Sequence, residues 1–159
     1  MKPRFNHHLR LIRFLRKLGV IRRKIYMAEI GVWEGETSEV LLTRFPKLHI
    51  TMVDSWRNIP RGADFREKRD MLTKKTQPEF DRAFSMAMER IGFARERVRV
   101  VREFSVDAAQ KLHRSRFNLV FIDAGHDYLS VKNDINAWYP LVKYGGILCG
   151  HDYGSKFFE

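Results

Sequence analysis

Two apolar segments of this sequence each end in an aspartate beside a histidine. The first, "FIDAGHDY", contains Asp123 and His126, and the second, "GGILCGHDYG", contains His151 and Asp152. Carboxylates and imidazoles at strand ends can hold a divalent cation, an imidazole can act as a general base, and either group can cap the backbone. Several such groups in one place would repel each other unless a cation or a cationic substrate lay between them.

A glycine-containing loop is the second candidate site. The stretch "EIGVWEGE" places Glu29, Gly31 and Gly35 in an E-x-G-x-x-x-G pattern before a predicted helix. Glycines there let the backbone turn sharply and let a ligand approach the main chain, while the helix N-terminus attracts an anionic group. Asp54 ends the next predicted strand, where a carboxylate can accept hydrogen bonds from both hydroxyls of a ribose. A pyrophosphate-binding G-x-G-x-x-G loop is disfavoured because Trp33 stands where a glycine is required.

Strands and helices alternate along the chain, and this order positions both candidate sites. Five apolar runs predict strands that end near Gly31, Asp54, Glu103, Asp123 and Gly150. Continuous apolar strands separated by helices indicate an α/β fold, a doubly wound and mainly parallel sheet that is covered on both faces. Ligands bind such sheets at the carboxyl ends of the strands, which is where the candidate residues stand.

The chain divides by charge into two predicted parts. The formal net charge is +11, and all the residues before Glu29 lack an acidic side chain. Residues 1–24 are predicted to form a basic amphipathic N-terminal arm that lays its apolar face on the domain. The leucines at helical spacing in this arm are Leu11, Leu15 and Leu18. Residues 25–159 form the predicted domain, in which residues 55–95 contain a charged insert and a helix. The basic face is either simply solvated or a footprint for nucleic acid, an anionic membrane surface or an acidic substrate.

The composition predicts the compartment. The single cysteine, Cys149, cannot form an internal disulfide and lies in an apolar run, which is typical of a small buried side chain in a reducing environment. No apolar run approaches the roughly 20 residues of a transmembrane helix. Arginines interrupt the N-terminal segment that a signal peptide would keep apolar. We therefore expect a soluble, cytoplasmic protein with no transmembrane segment.

Three segments together carry a family resemblance. "AEIGVWEGETSEVLL", "ITMVDSW" and "FNLVFIDAGHDYLSVKNDINAWYPLVKYGGILCGHDYG" resemble class I S-adenosylmethionine-dependent methyltransferases of the methyltransferase-24-like family, over most of residues 27–154. The resemblance implies a Rossmann-like sheet with strand order 3-2-1-4-5 and S-adenosylmethionine as the cofactor. The cofactor-binding residues that it implies are Glu29, Gly31 and Gly35 at the methionine part, Asp54 at the ribose, Ser105 near the adenine, and Asp123 between cofactor and acceptor. Trp56 either lies near the adenine or packs in the core, and Trp33 is expected to form a wall of the site.

The same strand order makes the fourth and fifth strands neighbours, so that Asp123 and the pair of His151 and Asp152 should emerge side by side. Related enzymes of this fold that act on hydroxyl groups hold magnesium there. The resemblance therefore implies a divalent cation, Mg or Mn, bound by Asp123, His151 and Asp152, although histidine also suits iron or zinc. Without a metal, the catalytic residues would be Asp123 with His126 or His151 as the general base. In the third alternative these residues only cap the strands.

The function that the resemblance implies is methyl transfer to a hydroxyl, or less readily an amine, of a small polar molecule. An RNA-binding or RNA-modifying methyltransferase is the alternative that the basic arm and insert suggest. The sequence ends nine residues after Gly150, so the last two strands of a complete class I sheet are expected to be lacking. In that case the fifth strand would be an exposed edge through which a homodimer could form, and the chain could be a truncated, inactive interaction module.

Overall fold

Helices and strands alternate along the part of the chain that the structure describes. The computed structural model describes residues 6–57 and 75–151. The strands are β1 (Ile25–Ile30), β2 (Leu48–Asp54), β3 (Val98–Arg102), β4 (Phe117–Ile122) and β5 (Val142–Gly150). The α-helices are α1 (Asn6–Lys17), α2 (Glu36–Arg44), α3 (Gln77–Arg90), α4 (Ser105–Lys111) and α5 (Tyr128–Trp138). Within these described ranges, no helix combines the length and the apolar character that crossing a membrane requires.

The five strands form one parallel sheet in the order β3-β2-β1-β4-β5. This finding confirms the predicted α/β fold and its strand order. β1 lies at the centre, where Ile30 pairs with Val53 of β2 and with Ile122 of β4. Because this register aligns the carboxyl ends of the three strands, the loops that follow them meet at one edge of the sheet.

Apolar side chains cover both faces of the sheet, as a doubly wound fold requires. On one face, buried side chains of α1, α2 and α3 pack on β1 and β2. On the other face, Ala108 of α4 and Trp138 of α5 pack against Ile30 and Val120. Burial from both sides explains why the strands are continuous apolar runs and do not alternate between apolar and polar residues.

Helix α1 is part of the first core. Leu11 and Leu15 are 1% and 0% exposed and belong to the same apolar cluster as Met27 of β1. The chain leaves the helix through Gly19, whose φ of 83° is a left-handed conformation that glycine adopts without strain. The segment predicted as an N-terminal arm therefore has a fixed position relative to the sheet, from its buried leucines onward.

The predicted charged insert is described only in part, since residues 58–74 lie outside the described residues. Helix α3 begins after Thr76, whose backbone amide and hydroxyl both donate to Glu79 Oε2, over 2.8 and 2.9 Å. This capping box fixes the start of the helix. Helix α3 then packs Ala83 and Ala87 into the core beside the loop that follows β1.

Candidate active site

The loop between β1 and α2 crosses very close to the end of β4. Gly31 has a φ of 85°, and a Cβ atom at this position would lie 2.0 Å from the backbone oxygen of Asp123. The amide of Gly31 donates to the carbonyl of Val53 over 2.9 Å, which ties the loop to the end of β2 as well. Glycine is therefore required at position 31 because any side chain would clash with the backbone of Asp123. This requirement is separate from any contact with a ligand.

Asp54, at the end of β2, braces this loop with its side chain. Its Oδ2 accepts hydrogen bonds from the backbone amides of Val32 and Trp33, both over 2.9 Å. Its Oδ1 accepts from the amide of Trp56 over 2.8 Å. A carboxylate offers about four acceptor positions, so roughly one remains. Binding of both ribose hydroxyls, as predicted from the sequence, would need to displace at least one of these amides.

Trp33 and Trp56 both adopt left-handed backbone conformations, with φ of 52° and 42°. Such a conformation costs about 1–2 kcal/mol for a residue with a side chain, and it concentrates at functional sites. The indole of Trp56 is fully buried, donates to the carbonyl of Trp33 over 2.8 Å and packs edge-on against Phe84. In this arrangement the Trp56 side chain is a packing group, which was one of the two roles predicted for it.

Glu29 is a buried acid beneath the loop. Its carboxylate is 1% exposed and accepts a hydrogen bond from the hydroxyl of Ser38. Burial raises the pKa of Glu29 to about 8; the Ser38 hydrogen bond opposes this rise, and the charges of Asp123 and Asp54 add to it. At neutral pH the side chain therefore mostly carries a proton. A cationic group that bound beside it would favour the ionised form.

Asp123 and His151 come together as the sequence predicted for neighbouring strand ends. His151 Nδ1 lies 3.3 Å from Asp123 Oδ1. Backbone hydrogen bonds position both residues, because the amide of Asp123 donates to Ile30 over 2.7 Å and that of His151 to Ile122 over 3.1 Å. Asp152, the third predicted metal ligand, lies outside the described residues. Among the residues that are described, no three His, Cys, Asp or Glu side chains form a group that could hold a metal ion.

The polar residues after β4 also have a capping role. Asp127 is the N-cap of α5, and its Oδ1 accepts from the amide of Ser130 over 2.9 Å. Gly125 permits this turn, since a Cβ atom there would lie 2.8 Å from the Cβ of Ser130. His126, which stands between Gly125 and Asp127 in the chain, is half-buried. Asp127 thus caps a helix and not the strand as the capping alternative has it, and a catalytic role of His126 stays a prediction.

Ser105 begins α4, and its hydroxyl joins two helices. It accepts a hydrogen bond from the indole of Trp138 in α5 over 2.9 Å and is also bonded to the buried Asp134. Burial raises the pKa of Asp134, against the lowering effect of the Ser105 hydrogen bond. The contacts of the Ser105 hydroxyl are therefore internal, and its predicted position near an adenine stays a prediction.

His8 is a residue of this edge that sequence reasoning missed. Helix α1 brings His8 Nε2 to within 3.1 Å of the hydroxyl oxygen of Thr37, at the start of α2. Burial lowers the pKa of His8, with opposing effects from Glu36 and Asp123 and a smaller lowering effect from His151. These interactions show that His8 lies within electrostatic reach of the Asp123 and His151 pair. One signal was present in the sequence, because His8 stands three and seven residues before buried leucines, on their helical face.

Comparison with known families gives a match over most of the chain. A family model described as a methyltransferase domain, of the methyltransferase-24 type, matches residues 28–153. Comparison with curated proteins gives no significant match. The matched range begins within β1 and includes every predicted cofactor-binding residue, which agrees with the segments that carry the sequence resemblance.

Solved structures share the fold at low sequence identity. A provisionally named caffeoyl-CoA O-methyltransferase from Staphylococcus aureus is 14% identical with a TM-score of 0.66, covering 94% of this chain and 59% of that one. The N-methyltransferase NodS from Bradyrhizobium japonicum, solved with S-adenosylhomocysteine, is 18% identical with a TM-score of 0.58, covering 89% and 58%. Human methyltransferase-like protein 13, also solved with S-adenosylhomocysteine, is 14% identical with a TM-score of 0.62, covering 89% and 62%. The chain therefore spans about three-fifths of the length of these proteins.

Proposed function

Because the chain belongs to the methyltransferase-24 family, we propose that it transfers a methyl group from S-adenosylmethionine to an acceptor held beside Asp123. The observation that carries the proposal is the brace between Asp54 and the loop that contains Gly31, at the edge where Glu29 and Asp123 also lie. This edge is the carboxyl end of the sheet, where α/β folds bind their ligands.

The residues present fit the chemical groups of the cofactor. Its ammonium would stabilise the ionised form of Glu29, which burial otherwise disfavours. Its carboxylate suits the start of α2, where the amides of the first turn have no partner within the helix. A ribose hydroxyl suits the remaining acceptor position of Asp54. Hydrogen bonds to Asp54 hold the backbone of Trp33 and Trp56 in its left-handed conformation. The surface that would bind the ligand is therefore already formed before the ligand binds.

We propose that the acceptor atom is the oxygen of a hydroxyl on a small polar molecule, with an amine nitrogen as the less favoured alternative. S-adenosylmethionine supplies an electrophilic methyl group: the acceptor lone pair forms the new bond to carbon while the bond from carbon to sulfur breaks, and the electron pair stays on sulfur. Asp123 holds the His151 ring through Nδ1, and His151 accepts the hydroxyl proton. Alignment of the acceptor with the methyl group supplies the rest of the rate enhancement.

A divalent cation, Mg or Mn, is the alternative way to activate the same hydroxyl. Asp123, His151 and Asp152 would hold it, and the cation would lower the pKa of the bound hydroxyl. Support for this alternative is the convergence of Asp123 and His151. Its third ligand, Asp152, lies outside the described residues.

Calorimetric titration with S-adenosylhomocysteine tests the proposed cofactor. We expect the wild-type protein to bind, and Asp54→Ala to lower the affinity by about tenfold or more, which corresponds to about 1.4 kcal/mol. Glu96→Ala is the control, since Glu96 is an exposed acid that lines the cavity at the amino ends of the strands, at the opposite edge of the sheet. The absence of binding to wild-type protein that is folded by circular dichroism would refute the cofactor assignment.

A second candidate function, RNA binding, has separate support at the opposite edge of the sheet. A cavity of about 420 Å³ lies at the amino ends of the strands. Among the described residues that line it, Arg97, Arg99, Arg116 and Lys143 are basic and Glu96 is acidic. We propose a steep salt dependence of the affinity for single-stranded RNA as the test of this function. An affinity that Arg99→Glu leaves unchanged would count against it.

Two further properties are proposals. We propose the cytoplasm as the compartment, supported by the single cysteine, Cys149, which is not in a disulfide. We also propose that two copies pair through β5, supported by its position at the edge of the described sheet and by the fully exposed side chain of Tyr144. Light scattering of the purified protein tests this pairing, since a monomer at all concentrations would refute it.

A further inference from the structure

We propose that His8 is a cofactor-binding residue, which contacts the amino-acid end of S-adenosylmethionine from helix α1. This inference rests on the proposed function. It adds a residue from outside the range that the family model matches, since that range begins at residue 28. The segment predicted from the sequence as a basic arm would therefore complete the cofactor site, in addition to covering the sheet.

The first support is the contact between His8 and the start of α2. Gly35 is the N-cap of this helix, so Thr37 is its second residue. The hydroxyl of Thr37 lies 3.1 Å from His8 Nε2, and Thr37 itself is buried. The imidazole is thus held at the helix end whose amides suit the carboxylate of the cofactor.

The second support is that packing and hydrogen bonds fix the position of α1. His8, Leu11 and Leu15 lie on one face of the helix, since they are three and seven residues apart. Both leucines are buried in the core under β1. Beyond the helix, the side chain of Arg23 donates to the carbonyl of Leu18 over 3.2 Å, and Lys47 donates to the carbonyl of Arg22 over 3.1 Å. These contacts fix the other end of α1 near the start of β2, so that its first turn reaches the carboxyl edge of the sheet.

The third support is the set of charged groups that influence the pKa of His8. Glu36 acts on it from α2, Asp123 from the end of β4, and His151 from the end of β5. These groups belong to both sides of the proposed site, Glu36 to the loop side and Asp123 and His151 to the acceptor side. The amino-acid end of the cofactor carries an ammonium, for which Glu29 and Asp123 are suitable partners, and a carboxylate, which needs donors. An imidazole N–H of His8 supplies such a donor beside the amides of α2.

The test compares two ligands that differ only in this part of the molecule. S-adenosylhomocysteine has the amino-acid end, whereas 5′-methylthioadenosine retains the adenosine and sulfur but lacks the ammonium and carboxylate. We expect His8→Ala to weaken binding of S-adenosylhomocysteine by about tenfold or more, because a hydrogen bond to a charged group is lost. Binding of 5′-methylthioadenosine should change less than about twofold. Calorimetry on the full chain measures both affinities.

Two variants separate binding from folding. His8→Gln keeps a donor that can reach Thr37, so it should retain the fold and recover part of the affinity for S-adenosylhomocysteine. His113→Ala is the matched control, because His113 is an exposed histidine in the turn after α4. It should leave both affinities unchanged. If His8→Ala does not fold, the comparison of the two ligands is made with His8→Gln alone, which should still bind S-adenosylhomocysteine more weakly than the wild type.

Each other outcome overturns the inference. Equal weakening of both ligands would show that His8 only ties α1 to α2. Unchanged binding of both would show that the cofactor does not contact His8, while the proposed function would stand. If the folded wild-type protein binds neither ligand, the proposed function fails and the inference fails with it.

Discussion

The backbone amide of Trp33 donates to Asp54 Oδ2 over 2.9 Å, so the acid at the end of β2 holds the loop that follows β1. Asp54 also accepts from the amides of Val32 and Trp56, which makes it the acceptor for both strained tryptophans. The Asp54 carboxylate, which is predicted from the sequence to bind the ribose, therefore also has a structural role.

Asp54→Asn should accordingly destabilise the protein as well as weaken cofactor binding. An amide has one acceptor oxygen, so at least one of the three backbone amides would face an NH₂ group. We expect a loss of about 1–3 kcal/mol in the free energy of unfolding, measured by urea denaturation. Glu96→Gln, at an exposed position, should stay within about 0.5 kcal/mol of the wild type. Equal stability of Asp54→Asn and wild type would contradict the brace.

Gly31→Ala should be far more harmful than Gly145→Ala or Gly92→Ala, because its Cβ would lie 2.0 Å from the backbone oxygen of Asp123. We expect a loss of more than about 3 kcal/mol, or no folding. Gly145→Ala separates the clash from the backbone strain, since Gly145 has a φ of 71° with open space around it, and should cost about 1–2 kcal/mol. Gly92→Ala has neither problem and should change stability by less than about 1 kcal/mol. Similar losses for all three would show that the close approach is not rigid.

The sequence was sufficient to predict the fold and the edge that carries the site. Continuous apolar runs between helices determine a parallel sheet, and a parallel sheet places the ends of neighbouring strands together. The family resemblance supplied the strand order 3-2-1-4-5, which makes the fourth and fifth strands neighbours. The contact of Asp123 with His151 could therefore be expected from two short stretches that are 28 residues apart in the chain.

The rest of the site depends on contacts that no local pattern encodes. A tryptophan in a left-handed conformation has no sequence signal of its own. The strain at Trp33 is offset by a hydrogen bond that its amide donates to Asp54, 21 residues further along the chain, while the bond from the Trp56 amide to Asp54 is local. The hydroxyl of Ser105 was assigned to an adenine, yet its bonds to α5 follow from how two helices pack. His8 was missed because its partner, Thr37, is 29 residues away and belongs to another helix.

Stability should depend on pH through Glu29. The pKa of its buried carboxyl is about 8 in the folded chain against 4.5 as its ordinary value, so between these limits the folded state binds a proton that the unfolded state has lost. Stability should therefore fall as pH rises through this window, by up to about 1.4 kcal/mol per pH unit, and level off above about pH 8. Glu29→Gln cannot ionise and retains an acceptor for Ser38, so it should lack this fall.

The measurement is the difference in unfolding free energy between Glu29→Gln and the wild type, followed from pH 5 to 9. Burial also lowers the pKa of His8 and of His49, so both histidines make the stability rise with pH below 6.5. Both proteins contain these histidines, so their contribution cancels in the difference and the contribution of Glu29 remains. The advantage of Glu29→Gln should grow with pH up to about 8. A difference that stays constant over this range would show that Glu29 is ionised in the folded protein.

The last prediction concerns the pair of Asp123 and His151. His151 contacts Asp123 on the acceptor side of the proposed site, so His151→Gln should bind S-adenosylhomocysteine within about twofold of the wild type. Methyl transfer to a hydroxyl acceptor should fall by about 100-fold or more, since the proton acceptor is lost. Acceptors are screened among small hydroxylated molecules by the release of S-adenosylhomocysteine. If His151 accepts the proton, no metal ion is needed to activate the hydroxyl, so EDTA should leave the wild-type rate unchanged. A rate that EDTA abolishes and Mn²⁺ restores, together with its loss in Asp152→Ala, would instead assign Asp123, His151 and Asp152 to a metal ion.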